Sequence, residues 1–125
     1  MMDYNCSSCA SKRKRFLKYV SKKKQVSVAT LGPDGTTSSC AARYFRNFLP
    51  EDTGLTIILR DSFDLAYEEL KNGNVDFILL PNAYSNMTLY YWDFNIELIQ
   101  TFIMKTPDYG IVCQNEEAVL KKTCV

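Results

Sequence analysis

The segment Gly32-Pro33-Asp34-Gly35-Thr36-Thr37-Ser38 gathers residue types suited to holding an anion. Its glycines permit a tight turn, its hydroxyls can donate hydrogen bonds, and a helix starting here would present unpaired backbone N–H groups in its first turn. It lacks the Lys-Ser/Thr ending of a phosphate-binding P-loop and the third glycine of a dinucleotide fingerprint, so a small carboxylate is the better ligand class. A plainer reading stands beside this one, a strand-to-helix turn that needs glycine for geometry and Thr or Ser for capping. A second candidate, Pro81-Asn82-Ala83-Tyr84-Ser85, offers an amide and two hydroxyls that can donate or accept. Its plainer reading is an ordinary strand exit, with Tyr84 covering the rim of the core. The chain contains no histidine, which removes Ser-His and Cys-His pairs and leaves acid–base work to carboxylates, Tyr, Lys or Cys. Cys6-Ser-Ser-Cys9 has the spacing of a metal clip or redox pair. No second such pair follows, so no metal is expected, and the odd count of five cysteines reads as reduced thiols.

The elements that must position these residues follow a repeating grammar. Val26, Val28 and Leu31 alternate with small or polar residues and meet the Gly-Pro-Asp-Gly turn, which predicts a strand. Cys40, Ala41, Tyr44, Phe45, Phe48 and Leu49 then recur at helical spacing up to Pro50. Leu55 to Leu59 reads as a buried strand. Asp61 or Ser62 would cap a helix whose face is Phe63, Ala66, Tyr67 and Leu70, with Gly73 just past its end. Val75 to Leu80 is a third strand that stops at Pro81. Strands alternating with helices predict an α/β fold with a mainly parallel sheet covered on both faces. In such a sheet ligands collect outside the carboxyl ends of the strands, where both candidate loops would lie. Residues 81–95 read as an aromatic-rich loop, Ile96 to Met104 and Tyr109 to Cys113 as further strands, and residues 116–122 as a terminal helix.

At 125 residues the chain suits one domain, which would bury roughly two-thirds of its unfolded surface. No run of eighteen apolar residues offers a membrane span. The net charge of +1 hides a split. Residues 1–24 carry eight of the fifteen Lys and Arg against Asp3 alone, whereas the rest has seven positive and thirteen negative residues, net −6. Residues 1–24 read as a basic, loosely held arm, although Phe16, Leu17, Tyr19 and Val20 could give one face of a short helix. No apolar stretch follows the basic cluster as a secretory signal would require, so a cytoplasmic location is expected.

Three spaced motifs resemble one family. Val28 to Ser39 with Ala41-Ala42 is similar to the opening element of prephenate dehydratase domains. The sharper resemblance is to a branch of that superfamily, the non-aromatising prephenate decarboxylases of the bacilysin-biosynthesis type. It rests on Pro81-Asn82-Ala83-Tyr84 and on Ile99-Gln100-Thr101-Phe102 running into Thr106-Pro107-Asp108-Tyr109-Gly110. The Pro-Ile-Glu-Asn-Ser type loop of dehydratases is absent. The resemblance implies a two-lobed α/β fold like the type II periplasmic binding proteins, with prephenate held between lobes. Residues 25–82 would form the first lobe and 83–125 the start of a second, incomplete one, with a homo-oligomer to complete the cleft. It implies decarboxylation of prephenate to a dihydro-hydroxyphenylpyruvate in secondary metabolism, without a cofactor. Gly35, Thr36, Thr37 and Ser38 would bind carboxylate, Asn82 and Tyr84 the ring or pyruvyl end, and Thr106 and Tyr109 would face them. The proton donor is unassigned, with Tyr84 or a water held by these hydroxyls as candidates.

Two other functions compete with this one. A dehydratase-like or catalytically inactive module would bind an aromatic carboxylate without this turnover. A nucleic-acid-associated protein would be led by its basic arm, but the acidic remainder and the lack of a nucleic-acid motif argue against that partner.

Overall fold

The computed structural model describes residues 7–105 and 110–112. The observed order is α1 (Ser7–Ser21), β1 (Gln25–Leu31), α2 (Thr37–Tyr44) running into a 3-10 turn (Phe45–Phe48), β2 (Gly54–Arg60), α3 (Phe63–Lys71), β3 (Phe77–Ile78) and α4 (Met87–Tyr91). The expected α/β class is observed. The sheet has three strands in the order β2-β1-β3, all parallel. Register runs from Gln25↔Gly54 to Leu31↔Arg60 on one side of β1, and through Val28↔Phe77 and Ala29↔Ile78 on the other.

Alternation along β1 assigns the two faces. Val26 packs with Phe16, Val20 and Leu49, against which Phe45, Phe48, Leu55, Phe77 and Ile99 also lie. Ala29 points the other way, to Ala66 of α3 and Val75, with Ile58, Leu70 and Ile78 around them. The central strand is therefore buried on both faces. As edges, β2 and β3 are only half-buried, and the full burial expected of Leu55 to Leu59 is not reached.

Local chemistry explains the helix limits. Thr36 and Ser62 cap α2 and α3, their hydroxyls accepting from the N–H of Ser39 and Leu65 at 3.2 and 3.1 Å. Helix α3 ends at Gly73, φ +74°, where the Gly73 and Asn74 N–H groups donate to the Leu70 and Glu69 carbonyls at 3.1 and 2.9 Å. Those paired bonds form a left-handed C-terminal cap, which favours glycine.

The structure differs from expectation in four places. Residues 7–21, within the segment read as a loose arm, are helical, and Phe16 and Val20 are buried at 4% and 0% exposure. The spacing of four between them puts both on one face. The aromatic stretch 81–95, read as loop, contains the short helix α4. Only Phe77–Ile78 of the expected third strand is paired as strand. Residues 96–104, expected as a strand, carry no regular secondary structure: they lie beyond the edge of a sheet that ends at β3, with no strand partner among the described residues. Of the expected strand Tyr109 to Cys113 only 110–112 are described, without regular secondary structure, while the terminal helix and Cys6 of the Cys6–Cys9 pair lie outside the described residues. No described helix is long and apolar enough to cross a membrane.

Candidate functional site

After β1 the chain crosses to one side of the sheet to form β2, then returns over β1 to form β3 on the other. The carboxyl ends of β1 and β3 are thus adjacent. That arrangement opens a crevice. A cavity of about 790 Å³ runs along β3, from Asp76 before the strand to Pro81 and Asn82 beyond its carboxyl end. Thr30, Thr37 and Ser38 line one part and Asn82 another, while Phe45, Phe77 and Phe102 supply apolar wall.

The turn before α2 is built by its own hydroxyls. Gly35 adopts φ +92°, and its N–H donates to Ser39 Oγ at 2.9 Å. Ser39 Oγ in turn donates to the Thr36 carbonyl at 2.9 Å. Asp34 pairs with Arg43 across the turn, and the hydrogen bond from that guanidinium holds its carboxyl below the usual range. Capping commits the Thr36 hydroxyl and the Ser39 N–H to each other. Thr37 and Ser38, in the first turn, have N–H groups with no intrahelical carbonyl to bond.

Of the residues singled out in the sequence, the structure brings Thr37, Ser38 and Asn82 to the cavity. Gly35 and Thr36 shape the turn behind it and are not in its lining. Tyr84 lies with α3: its ring packs on Phe63 at 4.7 Å between centroids, and its hydroxyl donates to Asp64 at 3.1 Å. Tyr90 stacks on Tyr67 at 4.4 Å and donates to the same Asp64 at 2.6 Å. These two tyrosine bonds, Tyr90's first, hold the Asp64 carboxyl below its ordinary range. Thr106 and Tyr109 lie outside the described residues.

Sequence reasoning missed Thr30, which is fully buried and donates through Oγ1 to the Leu79 carbonyl at 2.9 Å, joining the ends of β1 and β3. Its signal was a hydroxyl in phase with Val26 and Val28 near the end of the central strand. It also missed Phe16 of α1, a lining residue whose helix was read as an arm.

A parallel α/β sheet flanked by a mainly apolar cavity with a few convergent polar groups is the kind of site in which small molecules bind. Comparison with known proteins narrows this reading. The chain is similar to the prephenate decarboxylase of Bacillus subtilis strain 168, at 33% identity over 90 residues, covering 70% of this chain and 44% of that one. It is likewise similar to that of Bacillus amyloliquefaciens, at 32% over 90 residues with the same coverage. The prephenate decarboxylase of Planktothrix agardhii matches at 30% over 102 residues, 81% of this chain and 50% of that one. The resemblance read from the motifs therefore holds, and the chain is a homologue of prephenate decarboxylases over most of its own length. It spans about half the length of the curated relatives it matches. No protein-family model matches the chain, and no solved structure does.

Proposed function

We propose that the cavity binds prephenate and removes its ring carboxylate without aromatising the ring. The observation that carries this reading is the meeting of Thr37, Ser38 and Asn82 at one cavity with aromatic walls, in a chain homologous to prephenate decarboxylases. First-turn N–H groups and the hydroxyls of Thr37 and Ser38 would hold a carboxylate at the start of α2. Asn82 would meet the pyruvyl end or the ring hydroxyl. Phe45, Phe77 and Phe102 would enclose the ring and strip water from the departing carboxylate.

In the reaction the bond between ring carbon and carboxylate breaks and carbon dioxide leaves. The electron pair enters the cyclohexadiene, a ring carbon takes up a proton, and the ring hydroxyl is kept. The substrate is its own electron sink, so the protein has only to orient it and supply the proton. The product is a dihydro-hydroxyphenylpyruvate, a precursor suited to secondary metabolism in the cytoplasm.

We further propose that residues 25–82 correspond to the first lobe of a type II binding-protein-like fold and that residues from 83 onward begin a second. Trp92 and Phe94, 72% and 95% exposed, support completion of that lobe by more protein, such as a second copy. A second reading is a catalytically inactive module that binds an aromatic carboxylate in the same largely apolar cavity. Calorimetry with prephenate on the wild type, Ser38→Ala and Asn82→Ala tests the site. Weaker binding in both variants with unaltered melting is expected, and wild-type affinity in both would remove these residues from it.

A further inference from the structure

We infer that helix α1 is a charge-compensating wall of the cavity, offsetting the two carboxylates in its lining so that an anionic ligand can enter. This rests on the reading of the site as one for a carboxylate ligand. Asp76 and Glu97 both line the cavity, and Lys71 is the one lining cation among the described residues. Lys71 lies over the Tyr67 ring, 5.4 Å from its centroid. Left alone, this lining would repel an anion.

Compensation comes from one helix face and the residues just after it. Arg15 donates to Glu97 at 2.7 Å, with Lys12 at 4.0 Å from the same carboxylate. Tyr19 donates to Asp76 at 2.6 Å, and Lys23 pairs with that carboxylate. Lys12, Arg15, Phe16 and Tyr19 follow the i, i+3, i+4, i+7 spacing of a single helical face. Phe16, buried between the two ion pairs, itself lines the cavity and fixes the helix against the sheet. The Arg15 and Glu97 side chains are 62% and 43% exposed, so their pairing adds little to stability. Their joint effect on the field inside the cavity is a separate matter, because an uncompensated carboxylate acts on any anion placed nearby.

Affinities of Arg15→Gln, Glu97→Gln and the double variant for prephenate, and for two dyes of similar size, anionic anilinonaphthalene sulfonate and a neutral naphthylamine, test the inference. Arg15→Gln should weaken both anions roughly two- to tenfold and leave the neutral dye unaffected, as expected for one charge at partly screened distance. Glu97→Gln should tighten the anions, and the double variant should return close to wild type. If Glu97→Gln weakens the anions as Arg15→Gln does, the pair is a strut and the inference falls. It also falls if Arg15→Gln changes nothing, or if the wild type does not bind the anionic dye. Failure of the wild type to bind prephenate while the dyes follow the expected order would overturn the functional reading alone.

Discussion

At the scale of single residues, the division of labour within the glycine turn decides what a substitution will do. Thr36 caps α2 and stands behind the cavity, so Thr36→Ala should cost about 1 kcal/mol of stability. Thermal unfolding checks this, and Thr36→Ser should recover most of the loss. Gly35 has open space where a Cβ would sit, but its φ of +92° penalises any L side chain. Gly35→Ala should therefore destabilise by roughly 1–2 kcal/mol through backbone strain and not through a clash. Tyr67 supplies an alkaline handle. Its hydrogen bond to Asp93, aided by burial, pushes its phenol from 10.0 up to about 12. The folded state thus prefers the neutral form. That stabilisation is complete below the unfolded value of about 10 and is lost as pH rises through about 12. Urea midpoints between about pH 9 and about pH 12 should fall less steeply in Tyr67→Phe than in the wild type. An equal fall would detach Tyr67 from the alkaline transition.

At the scale of elements, β1, α2, β2 and α3 were legible because each carries a strong local signal: alternation in β1, a hydroxyl cap before each helix, and Gly73 at a left-handed C-terminus. The candidate site was legible where it depends on local chemistry, at Thr37, Ser38 and Asn82. The packing of Tyr84 was not legible because its neighbours in space, Phe63 and Asp64, lie about twenty residues upstream, and sequence order does not reveal contact with α3. Helix α1 was obscured for a related reason. Its eight flanking and internal cations dominate the composition of residues 1–24, while Phe16 and Val20 are its buried positions among the described side chains, and two buried positions make a faint period. Those two are decisive in packing. Phe16→Ala should cost roughly 3–5 kcal/mol, since it empties a site ringed by Phe45 and Phe77. A change below about 1 kcal/mol would show that α1 is not packed as described. The strand expected at 96–104 failed because strand propensity needs a partner, and the described sheet ends at β3.

At the scale of the whole molecule, the charge split acquires a structural sense. Helix α1 and the residues just after it lie against the acidic remainder through Arg15–Glu97 and Lys23–Asp76. Trp92, Phe94 and Ile103 leave large apolar side chains exposed on the described surface. The functional claim is tested most directly by incubating the purified chain with prephenate near neutral pH and identifying the products by mass against a protein-free control. Loss of carbon dioxide alone, with the ring hydroxyl retained, is the predicted result. Loss of water together with carbon dioxide, or no turnover, would contradict it.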